Sequence, residues 1–259
     1  MNNVNQLYPT DSDFVIPLTK EQIFSYIYPV MQKEYVRSLF DSIAYRYDLL
    51  NHLLSGGIDL YWRRAAIQTL DSRKSKRILD VATGTGDFAL ASLRLNPEMV
   101  IGVDISESML EIGRKKIAQR GLDHCIHLET GEAERLAFND GEFDAAIVAF
   151  GARNFEHLDK GMSEMHRVLK KSGTIVVLEF SRPGSFPFKQ LYLFYFKFIL
   201  PRIGRMVSGS ADAYQYLPDT VLKFPEGKDF LDRLRRAGFT ALNERRLTFG
   251  IATIYTGEK

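Results

Sequence analysis

The sequence has 259 residues, 45% hydrophobic and 25% charged, which excludes a disordered or fibrous chain. It favours one α/β domain of roughly 200 to 250 residues over two equal ones. Lys and Arg number 34 against 32 Asp and Glu, a formal charge of +2, so no global field marks a polyanion binder and nucleic acid would need a local patch.

In chain order, Met1 to Phe14 has no basic residue followed by an apolar run, so no targeting leader is expected there. Helices are expected around Lys20 to Phe40 and Leu60 to Leu70. From Lys76 to Phe180 short β-rich apolar runs alternate with amphipathic stretches, the pattern of a parallel sheet covered by helices. The strands are Arg77 to Val81, Met99 to Asp104, Cys125 to Thr130, Asp144 to Ala149 and Thr174 to Phe180. The helices between them are Asp87 to Leu95, Glu107 to Gln119 and Leu158 to Leu169, with right-handed crossovers. A further helix near Gly227 to Ala237 precedes strands near Thr240 to Leu247 and Ile251 to Thr256, a hairpin closing the sheet edge. The fold class is therefore α/β: a Rossmann-like, doubly wound, mostly parallel seven-stranded sheet with helices on both faces. One domain is expected, with a helical cap over 1–70, a ligand-binding core over 76–181, a lid over 182–226 and a closing helix and strands over 227–259.

The densest chemistry lies in Asp80-Val81-Ala82-Thr83-Gly84-Thr85-Gly86-Asp87, a strand end running through a glycine turn into a helix. Gly84 and Gly86 remove side chains where backbone must approach a ligand, and the helix N-terminus offers free N–H groups. Asp104 ends the next strand, 20 residues after Gly84, where a carboxylate can accept both ribose hydroxyls of a nucleoside. The glycines alone fit a dinucleotide as well as other nucleosides, because Gly84 to Ala89 satisfies the loose G-x-G-x-x-G/A pattern. Asp80 and Asp87 place negative charge near the loop, which suits a cationic ligand such as S-adenosylmethionine better than a pyrophosphate. Asp80 can alternatively be a structural acceptor for amides of the turn.

Taken with Asp104-Ile105-Ser106-Glu107, Glu132-Ala133-Glu134 and Asp140 to Asp144, this loop resembles motifs of the class I S-adenosylmethionine-dependent methyltransferases. Tyr47-Asp48-Leu49-Leu50-Asn51, continued by Ser55 and Trp62, resembles the first signature of the ubiquinone/menaquinone biosynthesis C-methyltransferases. Arg167 to Gly173, running on to Glu179-Phe180-Ser181, is similar to their second signature, and Phe150 to Asn154 and Leu200 to Arg205 also fit. Asp59 stands where that family usually has His, Leu50 replaces Met, Ala149 replaces a frequent Ser, and Lys171-Ser172 replaces Pro-Gly, leaving Gly173 to supply the left-handed turn residue.

The resemblance implies S-adenosylmethionine as cofactor, with Asp80, Gly84, Thr85, Gly86, Asp104, Ile105, Glu132, Ala133 and, through its backbone, Ala149 around it. It implies methyl transfer to a ring carbon of a reduced polyprenyl quinone, either demethylmenaquinol or a benzoquinol precursor of ubiquinone. Ionising a ring hydroxyl activates the ortho carbon, so the site must favour a phenolate. The expected catalytic residues are Arg153 as phenolate stabiliser, Asn154 and Tyr47 as ring-positioning groups and Asp48 as proton acceptor. A capping or surface-pairing role for Arg153 and Asn154 is the plain alternative.

Seven of the fifteen residues from Phe186 to Leu200 are aromatic, against 12% chain-wide. Two accounts stay open: a lid helix packed on the sheet, or, with Lys189, Lys197, Arg202 and Arg205 nearby, peripheral contact with anionic lipid at an inner membrane surface. The apolar stretch Leu191 to Phe196 is far too short to span a bilayer. Cys125, the single cysteine, excludes an internal disulfide and makes a reducing, cytoplasmic setting the expectation. The five histidines show no metal-binding spacing, so no metal is expected. The rivals are a nucleic-acid methyltransferase, a nicotinamide oxidoreductase and a non-catalytic nucleoside-binding module. Against the first, the fourth strand ends in Ala149 to Asn154 rather than an Asn/Asp-Pro-Pro-aromatic loop, and extended basic tracks are missing.

Overall fold

The computed structural model describes residues 33–45, 47–48, 55–194 and 220–259. The expected helical residues 20–32, the motif residues Leu49, Leu50 and Asn51, and the segment 200–205 lie outside the described residues.

Helix α1 (33–45) leads into α2 (Ile58–Ile67), and the chain then alternates β1 (Arg77–Val81), α3 (Asp87–Ser92), β2 (Met99–Asp104), α4 (Glu107–Ala118) and β3 (Ile126–Thr130). It continues through β4 (Phe143–Ala149), α5 (Leu158–Val168), β5 (Leu169–Phe180), α6 (Phe188–Phe194), α7 (Lys228–Arg236), β6 (Thr240–Leu247) and β7 (Ala252–Glu258). The sheet order is β3-β2-β1-β4-β5-β7-β6. β1 through β5 pair in parallel, and β7 runs antiparallel between β5 and β6.

Because successive strand side chains point to opposite faces, each central strand feeds two cores. Ile78, Ala145, Ile147, Val176 and Leu178 meet Trp62, Ala66 and Ile67 of α2, Phe88 of α3 and Leu110 and Ile117 of α4. Leu79, Val81, Ala146, Val148, Ile175 and Val177 meet Met162 and Met165 of α5 and Phe230 and Leu234 of α7 on the other face. Burial on both faces explains why β1, β4 and β5 read as nearly continuous apolar runs.

Two expectations are corrected. The fifth strand begins at Leu169 rather than Thr174, with a break in its pairing to β4 between Phe143 and Ala145. Within that irregular stretch the left-handed residue is Ser172, at φ 63°, and not Gly173. Gly173 serves close approach instead, since a Cβ there would sit 2.8 Å from the Lys170 carbonyl oxygen.

Candidate active site

The chain runs outward from β1 to β3, then crosses back to start β4 beside β1, so a crevice opens beyond the carboxyl ends of β1 and β4. An open-mouthed cavity with about 70 Å³ of interior space lies there. The loops that form it touch: a Cβ on Gly151 would fall 2.5 Å from the Ala82 Cβ, so only glycine lets them meet. Ala82 and Phe150, the residues just after β1 and β4, are both left-handed at φ 55° and 58°. Non-glycine residues occupy that region at a cost, and these two both line the cavity.

Asp104, at the tip of β2, is the carboxylate in the cavity wall. Its Oδ2 accepts from the Gly84 amide at 2.8 Å and its Oδ1 from the Ser106 amide at 2.9 Å. Burial pushes its pKa up, and the amides of Ser106, Gly84 and Ile105 pull the other way. Each oxygen keeps a further acceptor position, so the group is fixed in place and still able to take a diol. Gly84, Ile105, Ala133 and Ala149 also line the cavity, as expected.

The charge expected from Asp80 and Asp87 lies elsewhere. Asp80 is wholly buried under the loop, and its Oδ2 accepts from the Thr83 hydroxyl at 2.6 Å. Burial drives its pKa up to about 7, against the opposing pull of that hydroxyl and of Arg63. Asp87 accepts from Lys116 at 2.6 Å. Thr85 is buried beside the cavity and, like Gly86, shapes the loop rather than lining it.

Residues 33–45 and 47–48, within the span expected to form a helical cap, roof the cavity. Val36 and Phe40, one helical turn apart on α1, line the cavity with Tyr47, whose ring meets Phe40 edge-on at 6.0 Å. The signal was available in the apolar i, i+4 pair, but nothing local says which surface it covers. Asp48 is turned to the rim: Oδ1 accepts from Thr85 Oγ1 at 2.5 Å and Oδ2 from Lys116 Nζ at 2.6 Å. Glu132 pairs with Lys33 of the roof.

After β4, Asn154 lines the cavity, whereas Arg153 is held beside it. The Arg153 Nη1 donates to Glu179 Oε1 at 2.8 Å and to the Phe150 carbonyl, and its guanidinium lies 5.3 Å from the Phe180 ring centroid. Glu179, fully buried, also accepts from the Arg153 amide at 3.2 Å. Sequence reasoning placed Glu179 in a motif but not in this part. Asp59, the departure from His, accepts from Ser55 at 2.7 Å and lies 3.8 Å from Arg63 Nε, so it is committed to an ion pair on α2. Among the described residues no group of three His, Cys, Asp or Glu is placed to hold a metal.

A profile of the ubiE/COQ5 methyltransferase family matches residues 29–259. The chain belongs to that family. This ubiE/COQ5 methyltransferase is 48% identical over 241 residues to the demethylmenaquinone methyltransferase of Bacteroides fragilis, covering 93% of this chain and 98% of that one. It is also 48% identical over 238 residues to the ubiquinone/menaquinone biosynthesis C-methyltransferase UbiE of Citrifermentans bemidjiense, covering 90% of this chain and all 100% of that one. Among solved structures, a [4+2]-cyclase, SpnF, superposes with a TM-score of 0.64 at 18% identity over 86% of this chain and 94% of its own. A methyltransferase from Thermotoga maritima, described as S-adenosylmethionine-dependent, superposes at 0.59 and 20% identity over 86% and 99%. Both likenesses concern the fold alone.

The family cofactor is S-adenosylmethionine, and the residues present fit it. Asp104, clamped by two amides, would be free to take the ribose diol, and Ile105, Met109, Ala133, Val36 and Phe40 add apolar lining against which an adenine would rest.

Proposed function

We propose that this ubiE/COQ5 methyltransferase methylates a ring carbon of a reduced polyprenyl quinone precursor, the class that includes demethylmenaquinol and the ubiquinone-pathway benzoquinol. The observation that carries this is the cavity itself, whose lining brings a clamped Asp104 together with Asn154 and the aromatic rings of Tyr47, Phe150 and Phe155. Those rings suit a flat aromatic acceptor, and the names of the relatives point to a quinone.

S-adenosylmethionine supplies an electrophilic methyl group and leaves as a neutral thioether, so no acid is required of the protein for the leaving group. Asp104 holds the ribose, and Tyr47 and Asn154 set the acceptor ring in line. A ring hydroxyl loses its proton to make the carbon nucleophilic, and the carbon's own proton leaves afterwards to restore the aromatic ring. Arg153, paired with Glu179 beside the cavity, is a positioning residue that holds the Phe150 and Asn154 turn against the acceptor; a guanidinium is too weak an acid to act as a base at neutral pH. Glu179 fixes the guanidinium's position by its hydrogen bonds to the side chain and backbone. With both oxygens of Asp48 taken up by Thr85 and Lys116, water is the better proton acceptor and Asp48 a better tether.

Peripheral contact with a lipid surface is part of the proposal. Phe186, Leu191 and Phe194 expose apolar surface around α6, Phe249 stacks on Phe188 at 3.8 Å while 65% exposed, and Lys189 adds positive charge. No helix among the described residues is long and apolar enough to cross a membrane. Incubation with labelled S-adenosylmethionine and a panel of reduced quinone precursors tests the reaction; label reaching none of them, with the cofactor bound, would sink it. Flotation with anionic vesicles at low salt tests the contact, and protein remaining at the bottom of the gradient would remove it.

A further inference from the structure

Lys116 belongs to no sequence motif, and its neighbour Lys115 is an ordinary exposed lysine of α4. Its ammonium nevertheless reaches three partners: Asp48 at 2.6 Å, Asp87 at 2.6 Å and Thr85 Oγ1 at 3.1 Å. Gly113, one turn earlier, makes this reach achievable, because α4 lies so close to the glycine loop that a Cβ there would be 3.0 Å from the Thr85 backbone. The roof residues are pinned in three places: Lys33 to Glu132 after β3, Asp41 to Ser106 after β2 at 2.6 Å, and Asp48 to Thr85 after β1 and to Lys116 on α4. The last is the only one of these three in which a single carboxylate takes two side-chain donors.

We propose that Lys116 is the positioning residue that latches the roof over the cofactor, and that breaking its contact with Asp48 gates release of S-adenosylhomocysteine. This rests on the cofactor assignment above. Asp87 is what makes the contact a latch: when Asp48 departs, Lys116 keeps a carboxylate partner, so opening strands no partly buried charge. The closed state gains the charge-assisted hydrogen bond from Lys116 to Asp48, whose loss corresponds to about a tenfold change in rate or affinity.

Dissociation of S-adenosylhomocysteine from the immobilised full chain, followed by surface plasmon resonance at low and high salt, tests this. Lys116→Met and Asp48→Asn should each speed release about tenfold, the double variant should add nothing further, and Lys116→Arg should stay near wild type. Asp87→Asn should slow release, since Asp48 becomes the ammonium's sole carboxylate. In turnover, Lys116→Met should raise KM for S-adenosylmethionine without lowering kcat, and Lys115→Met should change neither. Salt should speed wild-type release and leave Lys116→Met almost insensitive. Should Lys116→Met not fold, Asp48→Asn, which leaves the sheet and its helices untouched, decides. Release rates within twofold of wild type in the folded variants, or additive effects in the double variant, overturn the latch. A wild-type chain that took up no S-adenosylhomocysteine would instead overturn the cofactor assignment.

Discussion

Replacing Asp80 with Asn should stabilise the cofactor-free protein at neutral pH and do little at acid pH. Asp80 closes β1 with no exposed surface, and burial moves its pKa from 3.8 to about 7. Between those values the native state holds a proton that the unfolded chain has already lost, so stability from this group is present in full below about pH 4 and is lost as pH rises through 7. At about 1.4 kcal/mol per pKa unit, Asp80 costs the folded state about 4 kcal/mol above pH 7 and only about 0.5 kcal/mol near pH 4, where the folded carboxyl keeps its proton. Asn carries no such proton and keeps the reach to Thr83. Guanidinium unfolding of both proteins between pH 5 and 8 should therefore show the variant's advantage widening by about 2.5 kcal/mol. Asp104 and His166 also have shifted pKa values, but they are present in both proteins and cancel to first order in the difference. A gap that stays constant across this range would refute the claim that burial sets the proton affinity of Asp80. The gain should carry a functional loss, because the variant no longer offers an anion beneath the loop: its preference for cationic S-adenosylmethionine over the neutral thioether should shrink at pH 8.

Asp104→Asn should weaken S-adenosylhomocysteine about a hundredfold by calorimetry, because an amide cannot accept from both loop amides and from a diol; an unchanged Kd would remove Asp104 from the ribose site. Arg153→Leu should cut methyl transfer about a hundredfold or more while shifting S-adenosylhomocysteine affinity less than threefold. Normal turnover in that variant would take Arg153 out of the mechanism. Ser172→Gly should raise stability by about 0.5–1 kcal/mol in denaturant titrations, since it relieves a left-handed non-glycine residue; a loss would show that the Ser172 side chain earns its place.

Where the signals are local, the chain could be read directly. β1, β2 and β6 begin and end at the expected residues, because each is a short run bounded by turn chemistry. Asp104 follows from its place at a strand end after a glycine turn, and the cavity does lie there. The start of β5 was missed because Lys170, Lys171 and Ser172 look like a loop, while their backbone is recruited by neighbours: the Ser172 amide donates to the Lys259 carbonyl at 3.0 Å. Asp80 and Asp87 look alike as acids flanking the glycines, yet one is sealed from water and the other tied to Lys116.

Sequence alone thus determined the kinds of groups gathered at the strand tips, and with them a site for a nucleoside, because strand alternation, glycine turns and helix starts are written over a few adjacent residues; the choice of S-adenosylmethionine came from the family resemblance. Tertiary structure decided what each of those groups does. The Lys116–Asp48 bond joins residues 68 apart in the chain and Arg153–Glu179 residues 26 apart. Such distances are set only when helices settle onto the sheet, and burial then fixes which carboxylate faces the ligand, which is protonated and which holds the roof.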